Sequence, residues 1–277
     1  MIPIHSLPEE QEIKKLTAVN SHSIYRKNSH RDSHYQFVIL EKGSCVVAVD
    51  FKTIPLKAGQ VLCILPGQVH RALSARQCHA WIFSVRREWV HENYQFVFNS
   101  AVPFTGAIRL HKQKAAALSH SISLLYEFYT SRKHFHFSSQ LLHATTDLCT
   151  GICADAYSEH GPARQQPGSR PAQLLHQFRQ LLSQHYITMK SPADYAARLH
   201  ISLSYLNEVV KEQTGIPLSR HIQDQVITEA RRILYYTDIS IKELAYKLGY
   251  DDYSYFCRLF KQISGMTPAQ ARKSSRE

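Results

Sequence analysis

Two short helical stretches carry hydrogen-bonding side chains at one-turn spacing. In "ISLSYLNEVVKEQTG", Ser204, Asn207, Glu208 and Lys211 lie off an apolar stripe made by Leu206, Val209 and Val210. In "DDYSYFCRLFKQISG", Tyr253, Ser254, Cys257, Arg258 and Lys261 lie off the stripe of Phe256, Leu259, Phe260 and Ile263. At 3.6 residues per turn, each polar set faces away from its core. Asn207 pairs a donor with an acceptor, the pattern that suits an adenine edge. Arg258 offers the fork that suits guanine, and Glu208 an acceptor for a cytosine amino group. Lys211 and Lys261 suit phosphates. Any surface helix shows mixed polar residues, so one such face alone reads equally well as ordinary solvated surface. Two at matching positions favour readout of base edges.

The elements that hold these faces form an internal repeat. "SPADYAARLHISLSYLNEVVKEQTGI" aligns with "SIKELAYKLGYDDYSYFCRLFKQISGM" when one residue is inserted in the second copy. Ser191 then falls on Ser240, Leu199 on Leu248, Leu206 on Phe256 and Gly215 on Gly265. Ser191 with Pro192 and Asp194, and Ser240 with Glu243, predict capped helix starts. Ser202 and Asp251 are expected to cap the following helices, with Gly215 and Gly265 just past their ends. Gly249 supplies the positive φ of a sharp turn, where the first copy has His200. Each copy is thus two short helices joined by a tight turn. Between the copies, "LSRHIQDQVITEARRILYYT" has helical apolar spacing and no Gly or Pro. A helix of about 18 residues is about 27 Å long. That length suits two recognition helices placed one duplex turn, about 34 Å, apart. Two linked grooves read at once require a bent duplex or one weakly engaged helix.

The chain has 277 residues and a net charge of +11, so two domains and a polyanionic partner are expected. The basic excess is spread over both halves and does not say which one binds. No apolar run reaches the roughly 18 residues of a membrane helix, so no membrane partner is expected. The start "MIPIHSLPEEQEIKKL" lacks a basic segment followed by an apolar one, so no signal peptide is expected and a cytoplasmic location is the default. The six cysteines form no CxxC. Cys149 and Cys153 share a helix face and would seed a metal site only if His143 folded beside them; small buried hydrophobes are the favoured reading. "SEHGPARQQPGSRPAQ", 158–173, reads as a linker. It separates a β-rich region with two helices, about 112–131 and 138–157, from an all-helical part starting near 174. The strands are expected at "HYQFVILEKG", "CVVAVDF", within "LKAGQVLCILPGQVHRAL", at "HAWIFSV" and at "FTGAIRL", with a turn at Lys42-Gly43. Many short strands imply a sandwich or small barrel. The stripe Leu118, Ile122, Leu125 and Phe128 either packs on that barrel or pairs with a second subunit.

From about 171 to 275 the chain resembles the DNA-binding domain of the AraC/XylS family of bacterial transcriptional regulators. The residues that carry this are "DYAARLHISLSYLNEVVKEQTG", "ARRIL" and "IKELAYKLGYDDYSYFCRLFKQISGMTPAQAR". Thr267, Pro268 and Gln270 also read as the capped start of a last short helix. The resemblance implies that Ser204, Asn207, Glu208, Tyr253, Ser254, Cys257 and Arg258 face DNA. Residues 1–157 resemble, more weakly, the cupin-like effector domain of the same family, through "HRDSHYQFVILEKG" and "LKAGQVLCILPGQVHRAL". The fold class implied is α+β and multidomain: a cupin-like β-barrel with flanking helices, then an all-α domain of two helix-turn-helix units joined by a long helix.

In metal cupins two His and a Glu at short spacing join a later His. His30, His34, Glu41 and His70 are the counterparts here. His30 and His34 lack the HxH spacing, and alternation puts Glu41 and His34 on different faces. No metal, cofactor or catalytic residue is therefore expected. Tyr35, Phe37, Ile39, Val47, Val49, Ile64, Trp81 and Phe83 supply candidate walls of a ligand cavity. His34, His70 and Arg71 are the candidate polar anchors, Arg71 for an anionic ligand. The effector-site candidates are thus His34, Tyr35, Phe37, His70, Arg71 and Trp81. The expected partners are double-stranded promoter DNA, a small-molecule effector, RNA polymerase and a second copy of the chain. Two alternatives remain: a cupin-type metal enzyme fused to a DNA-binding domain, and a dimeric regulator without a ligand.

Overall fold

The computed structural model describes residues 4–5, 7, 11–17, 29–160 and 169–274. The chain divides into two compact units, Pro3–Arg164 and Gln165–Glu277. Among the described residues no helix is long and apolar enough to cross a membrane.

The first unit is built on one eight-stranded sheet. Its strands are β1 (Ile4–His5), β2 (Gln11–Leu16), β3 (His30–Asp32), β4 (Tyr35–Val49), β5 (Lys52–Lys57), β6 (Gln60–Ile64), β7 (Val69–Val85) and β8 (Ile108–Arg109). Helix α1 (Glu92–Thr105) precedes β8, and α2 (Lys112–Thr130) and α3 (Ser138–Ser158) follow it. Two long antiparallel strands, β4 and β7, run side by side through the middle. The turn expected at Lys42-Gly43 is instead a bend inside β4. Gly43 has φ +78°, and a Cβ there would overlap the carbonyl oxygens of Arg76 and Gln77. The ladder to β7 shifts register around it and continues on both sides, from Leu40↔Ala80 to Ser44↔Arg76. A positive-φ residue within a paired strand makes a bulge and a change of direction, not a hairpin.

The sheet is apolar on both faces. On one, Tyr35, Phe37, Ile39, Trp81 and Phe83 form a core with Phe98 of α1, Leu118, Ile122 and Leu125 of α2, and Leu142 and Tyr157 of α3. The α2 stripe therefore packs on the sheet, with Phe128 against the same core. The Tyr157 hydroxyl accepts from the Cys63 N–H and donates to the Gly106 carbonyl, both at 2.9 Å. On the other face, Val38 and Leu40 meet Val47, Val49, Leu56, Leu62 and Ile64 in a single cluster. Both ends of β4 contribute to it, so the sheet folds back on itself as a cupin-like barrel does. The run "FTGAIRL" is not one strand: α1 takes its first two residues, Gly106 turns at φ +66°, and only Ile108–Arg109 pair as β8. Helix α1 escapes sequence reading because "ENYQFVFNSAVPFT" is rich in residues that favour strands. Cys149 and Cys153 are buried in the helix-side core, and His143 instead packs on the Trp89 ring at 5.0 Å. Burial pushes the Cys149 thiol up to about 12, as for an inert packed cysteine.

The second unit is all helical: α4 (Arg170–His185), α5 (Pro192–Arg198), α6 (Leu203–Thr214), α7 (Leu218–Tyr236), α8 (Ile241–Lys247), α9 (Tyr253–Ser264) and α10 (Pro268–Ser274). Of the segment read as a linker, 161–168 lie outside the described residues. Its ends are helical: Ser158 closes α3, and α4 already starts at Arg170. Ser169 caps α4 by accepting from the Ala172 N–H, with a proline in the first turn.

The repeat is built on matching caps with two differences from the sequence reading. The full reciprocal box forms only in the second copy, between Ser240 and Glu243. In the first, Ser191 accepts from the Ala193 N–H. Asp252, not Asp251, caps α9, accepting from the Ser254 and Tyr255 N–H groups at 2.8 and 3.0 Å. Ser202 caps α6 through the Tyr205 N–H. The turns are equivalent: His200 has φ 56° and Gly249 φ 79°, so a side chain is carried in the left-handed region in one copy. Gly215 and Gly265 close α6 and α9 at φ 73° and 79°.

Candidate nucleic-acid interface and effector site

Helices α6 and α9 divide cleanly. Leu206, Val209 and Val210 are buried in one, and Phe256, Leu259 and Phe260 in the other. Ser204, Asn207, Glu208 and Lys211 are exposed on α6; Tyr253, Ser254, Arg258 and Lys261 are exposed on α9. Cys257 is half-buried against the second core. Four apolar-bodied side chains that sequence reading passed over stand with them: Leu203 and Tyr205 on α6, Tyr255 on α9 and Tyr246 on α8, all exposed. For Tyr205 and Tyr255 the available signal was an aromatic residue in the first turn of its helix.

Asn207 has a second task. Its Oδ1 accepts from the Leu218 N–H at 3.3 Å, at the start of α7. That helix begins after Pro217, which provides no side-chain cap. At the equivalent place in the second copy, Thr267 caps α10 itself, with Gln270 returning the bond. Pro268, facing Leu218 in the alignment, has no N–H to satisfy. The need for an acceptor therefore arises in the first copy alone. Asn207→Ala is expected to cost about 1 kcal/mol of stability, while Asn207→Asp keeps the acceptor and the stability. Thermal melting of both variants checks this; equal melting of Asn207→Ala and the parent would remove the capping role.

In the first unit the sheet separates the effector-site candidates. Tyr35, Phe37, Ile39, Trp81 and Phe83 lie on the helix-covered face. Glu41 lies there too, accepting from Trp81 Nε1 at 2.9 Å and from Ser119 Oγ at 3.0 Å. Those residues are walls of a packed core and do not meet the histidines. Val47, Val49 and Ile64 lie on the opposite face. His70 pairs directly with Val49 across the β4–β7 ladder and so shares that face. Arg71, the next residue, points the other way and is exposed. It does not join the histidines.

The structure adds a residue that sequence reading left out. Asp32 is buried, and His34 Nε2 stands 3.3 Å and His70 Nε2 3.5 Å from its Oδ2. His30 Nε2 is 3.8 Å from its Oδ1. Burial alone would raise the Asp32 carboxyl. The hydrogen bond from His34 and the charges of His70, His34 and His30 outweigh it and hold the carboxyl below its ordinary value. Burial, then His30, pushes the His70 imidazole down to about 4. The available signal was the alternation in "HRDSH", which puts residues 30, 32 and 34 on one side of an extended chain. Gln36 and Ser84, 3.4 Å apart, lie on the same side of the sheet.

The chain thus combines an N-terminal sheet unit holding a buried polar cluster with two capped helix-turn-helix units on a connecting helix. Residues 19–146 match the family model of an AraC-like ligand binding domain. Residues 195–274 match that of a helix-turn-helix domain. It therefore carries a segment similar to an AraC-like ligand binding domain and, after it, one similar to a helix-turn-helix domain. The uncharacterized HTH-type transcriptional regulator YtdP of Bacillus subtilis (strain 168) is 34% identical over 83 residues, 30% of this chain and 11% of that protein. The arabinose operon regulatory protein of Escherichia coli (strain K12) is 24% identical over 243 residues, 85% of this chain and 79% of that protein. Among solved structures, the C-terminal domain of AraT, a response regulator from Geobacillus stearothermophilus, is 28% identical, with a TM-score of 0.36 over 38% of this chain and 88% of that one. The chain spans only 11% to 38% of the length of three relatives that it matches over about 80 to 110 residues.

Proposed function

We propose that this chain is a sequence-specific DNA-binding transcriptional regulator that responds to a small-molecule effector. The observation that carries the reading is the duplicated polar face: α6 and α9, with matching caps and turns, each leave hydrogen-bonding residues exposed opposite a buried stripe. Such a helix suits the major groove, where base edges present a donor and acceptor code. Ser204, Glu208, Tyr253, Ser254 and Arg258 are the readers, with Cys257 at the margin. Lys211 and Lys261 hold phosphates. Asn207 joins the readers only if its amide contacts a base while its Oδ1 stays with Leu218, or gives up that bond. The effector sits on the sheet face lined by Val38, Val49 and Ile64, with His34 and His70 as polar anchors. Residues 1–157 carry effector binding and 174–277 DNA binding. Leu124 of α2 and Leu148 of α3 remain exposed and suit a homodimer contact. RNA polymerase is the further partner. An effector controls DNA binding only by binding two states of the chain with different affinity.

Arg258→Ala is expected to weaken specific binding by about 1–3 kcal/mol and to relax specificity at one base pair. Lys261→Ala is expected to weaken all sequences alike and to lower the salt slope by about 1. Gel-shift titrations at several salt concentrations, on sites selected by the full chain, measure both. Unchanged specific affinity in Arg258→Ala would remove it from the readers. Absence of any duplex binding at low salt would end the proposal.

A further inference from the structure

Three donors at one end of the sheet have the spacing of ligands around a cation. His30 stands directly opposite His70 across the β3–β7 ladder, with ring centroids 4.4 Å apart. One donor atom each from His30, Asp32 and His70 lies within 4.8 Å of the other two. The contacts of His30 and His70 to the Asp32 carboxylate, 3.8 and 3.5 Å, are too long for a charge-assisted hydrogen bond of about 2.7–2.9 Å. They suit neighbours on one coordination sphere: donors about 2.1 Å from a tetrahedral centre stand about 3.4 Å apart.

The hydrogen bonding of His70 points the same way. Its Nδ1 is 3.2 Å from the Gln68 carbonyl oxygen. A carbonyl only accepts, so Nδ1 carries the hydrogen and, in the neutral ring, Nε2 presents its lone pair. That Nε2 is buried and makes no hydrogen bond. It faces a carboxylate oxygen, so two acceptors oppose each other. A cation between them turns that repulsion into two bonds. An N–H donated to a backbone carbonyl is also how a ligating imidazole has its tautomer and orientation set. His34 Nε2, 3.3 Å from Asp32 Oδ2, donates a hydrogen bond that fixes the carboxylate.

We propose that His30, Asp32 and His70 bind one divalent transition-metal ion of the zinc or ferrous class. Two imidazoles and one carboxylate favour such ions over magnesium or calcium, which take all-oxygen sites. Three protein ligands leave the ion an open position for an outside oxygen or nitrogen donor. The inference is independent of the DNA-binding reading.

The test uses the full chain, stripped with a chelator, dialysed and titrated with Co²⁺, with Zn²⁺ as competitor. The expected result is one Co²⁺ per chain, with visible ligand-field absorption that one equivalent of Zn²⁺ removes. His70→Gln and Asp32→Asn are each expected to weaken binding at least about 100-fold. His30→Gln, at a half-buried position, serves if either fails to fold, and a His134→Ala/His136→Ala chain controls for surface histidines. No stoichiometric Co²⁺ in the parent would overturn the proposal. So would binding that survives His30→Gln and His70→Gln, or that disappears only in the surface-histidine variant.

Discussion

Replacing Gly249 with alanine is expected to destabilise the C-terminal unit by about 3 kcal/mol or more. Gly249 sits at φ +79°, where an L side chain costs about 1–2 kcal/mol by itself. The added Cβ would also overlap the carbonyl oxygen of Ile187, which belongs to the connection between α4 and α5. A backbone atom cannot swing aside as a side-chain tip can, so the turn between α8 and α9 must lift. Lifting it strains the contact made by Lys190. That ammonium donates to the carbonyls of Tyr186 and Leu248, both at 2.6 Å, and lies 4.6 Å from the centre of the Tyr250 ring. Its burial pushes the amine down to about 8, a measure of how far it is taken from water. Lys190 therefore ties the first copy of the repeat to the turn of the second. Calorimetric melting of the full chain should show the loss in one of two transitions, because the chain has two units. DNA binding should weaken in parallel. A Gly249→Ala chain within about 0.5 kcal/mol of the parent would show that the α4–α5 connection yields, and that this junction does not hold the two copies together.

Phe256→Ala is expected to cost about 3–5 kcal/mol, the range for a fully buried aromatic cut to alanine. The ring is wholly buried, 5.5 Å from Tyr250 and 6.1 Å from Phe260 between centroids. Close-packed interiors relax only partly around such a loss, so much of the space would stay empty. Two residues away, Arg258 is exposed and lies outside the buried cluster. The pair should therefore separate fold from recognition: Phe256→Ala lowers the melting transition and DNA binding together, whereas Arg258→Ala lowers binding alone. Calorimetry and gel shifts on the same preparations test this. Normal melting in Phe256→Ala would mean that α9 does not pack as described.

The helical half was largely legible because its information is local. Caps lie within three residues of the N–H groups they satisfy, and a helix face is set by spacing over two turns. Even there, reading stopped at contacts that cross a turn. Asp252 displaced Asp251 as the cap by one residue of loop geometry. The bond from Leu218 to Asn207 spans 11 residues and no periodicity announces it. The sheet half was less legible. Along β4 both faces are mostly buried, so period-2 alternation has no polar side to mark the outside. Tyr35, Phe37 and Trp81 looked as fit for a cavity as Val47 and Val49 did. Gly43 looked like a hairpin turn, although the ladder runs through it.

By itself, then, the sequence determined two capped helix pairs, the polar side of each second helix and a β-rich partner region, since these depend on neighbours within a few residues. Only the tertiary structure decided which sheet face the helices cover, that Arg71 stands apart from the histidines, and that Asp32 lies among them. Those outcomes depend on pairing between strands distant in the chain: β3 and β7 meet across nearly forty residues, a separation over which no spacing rule operates.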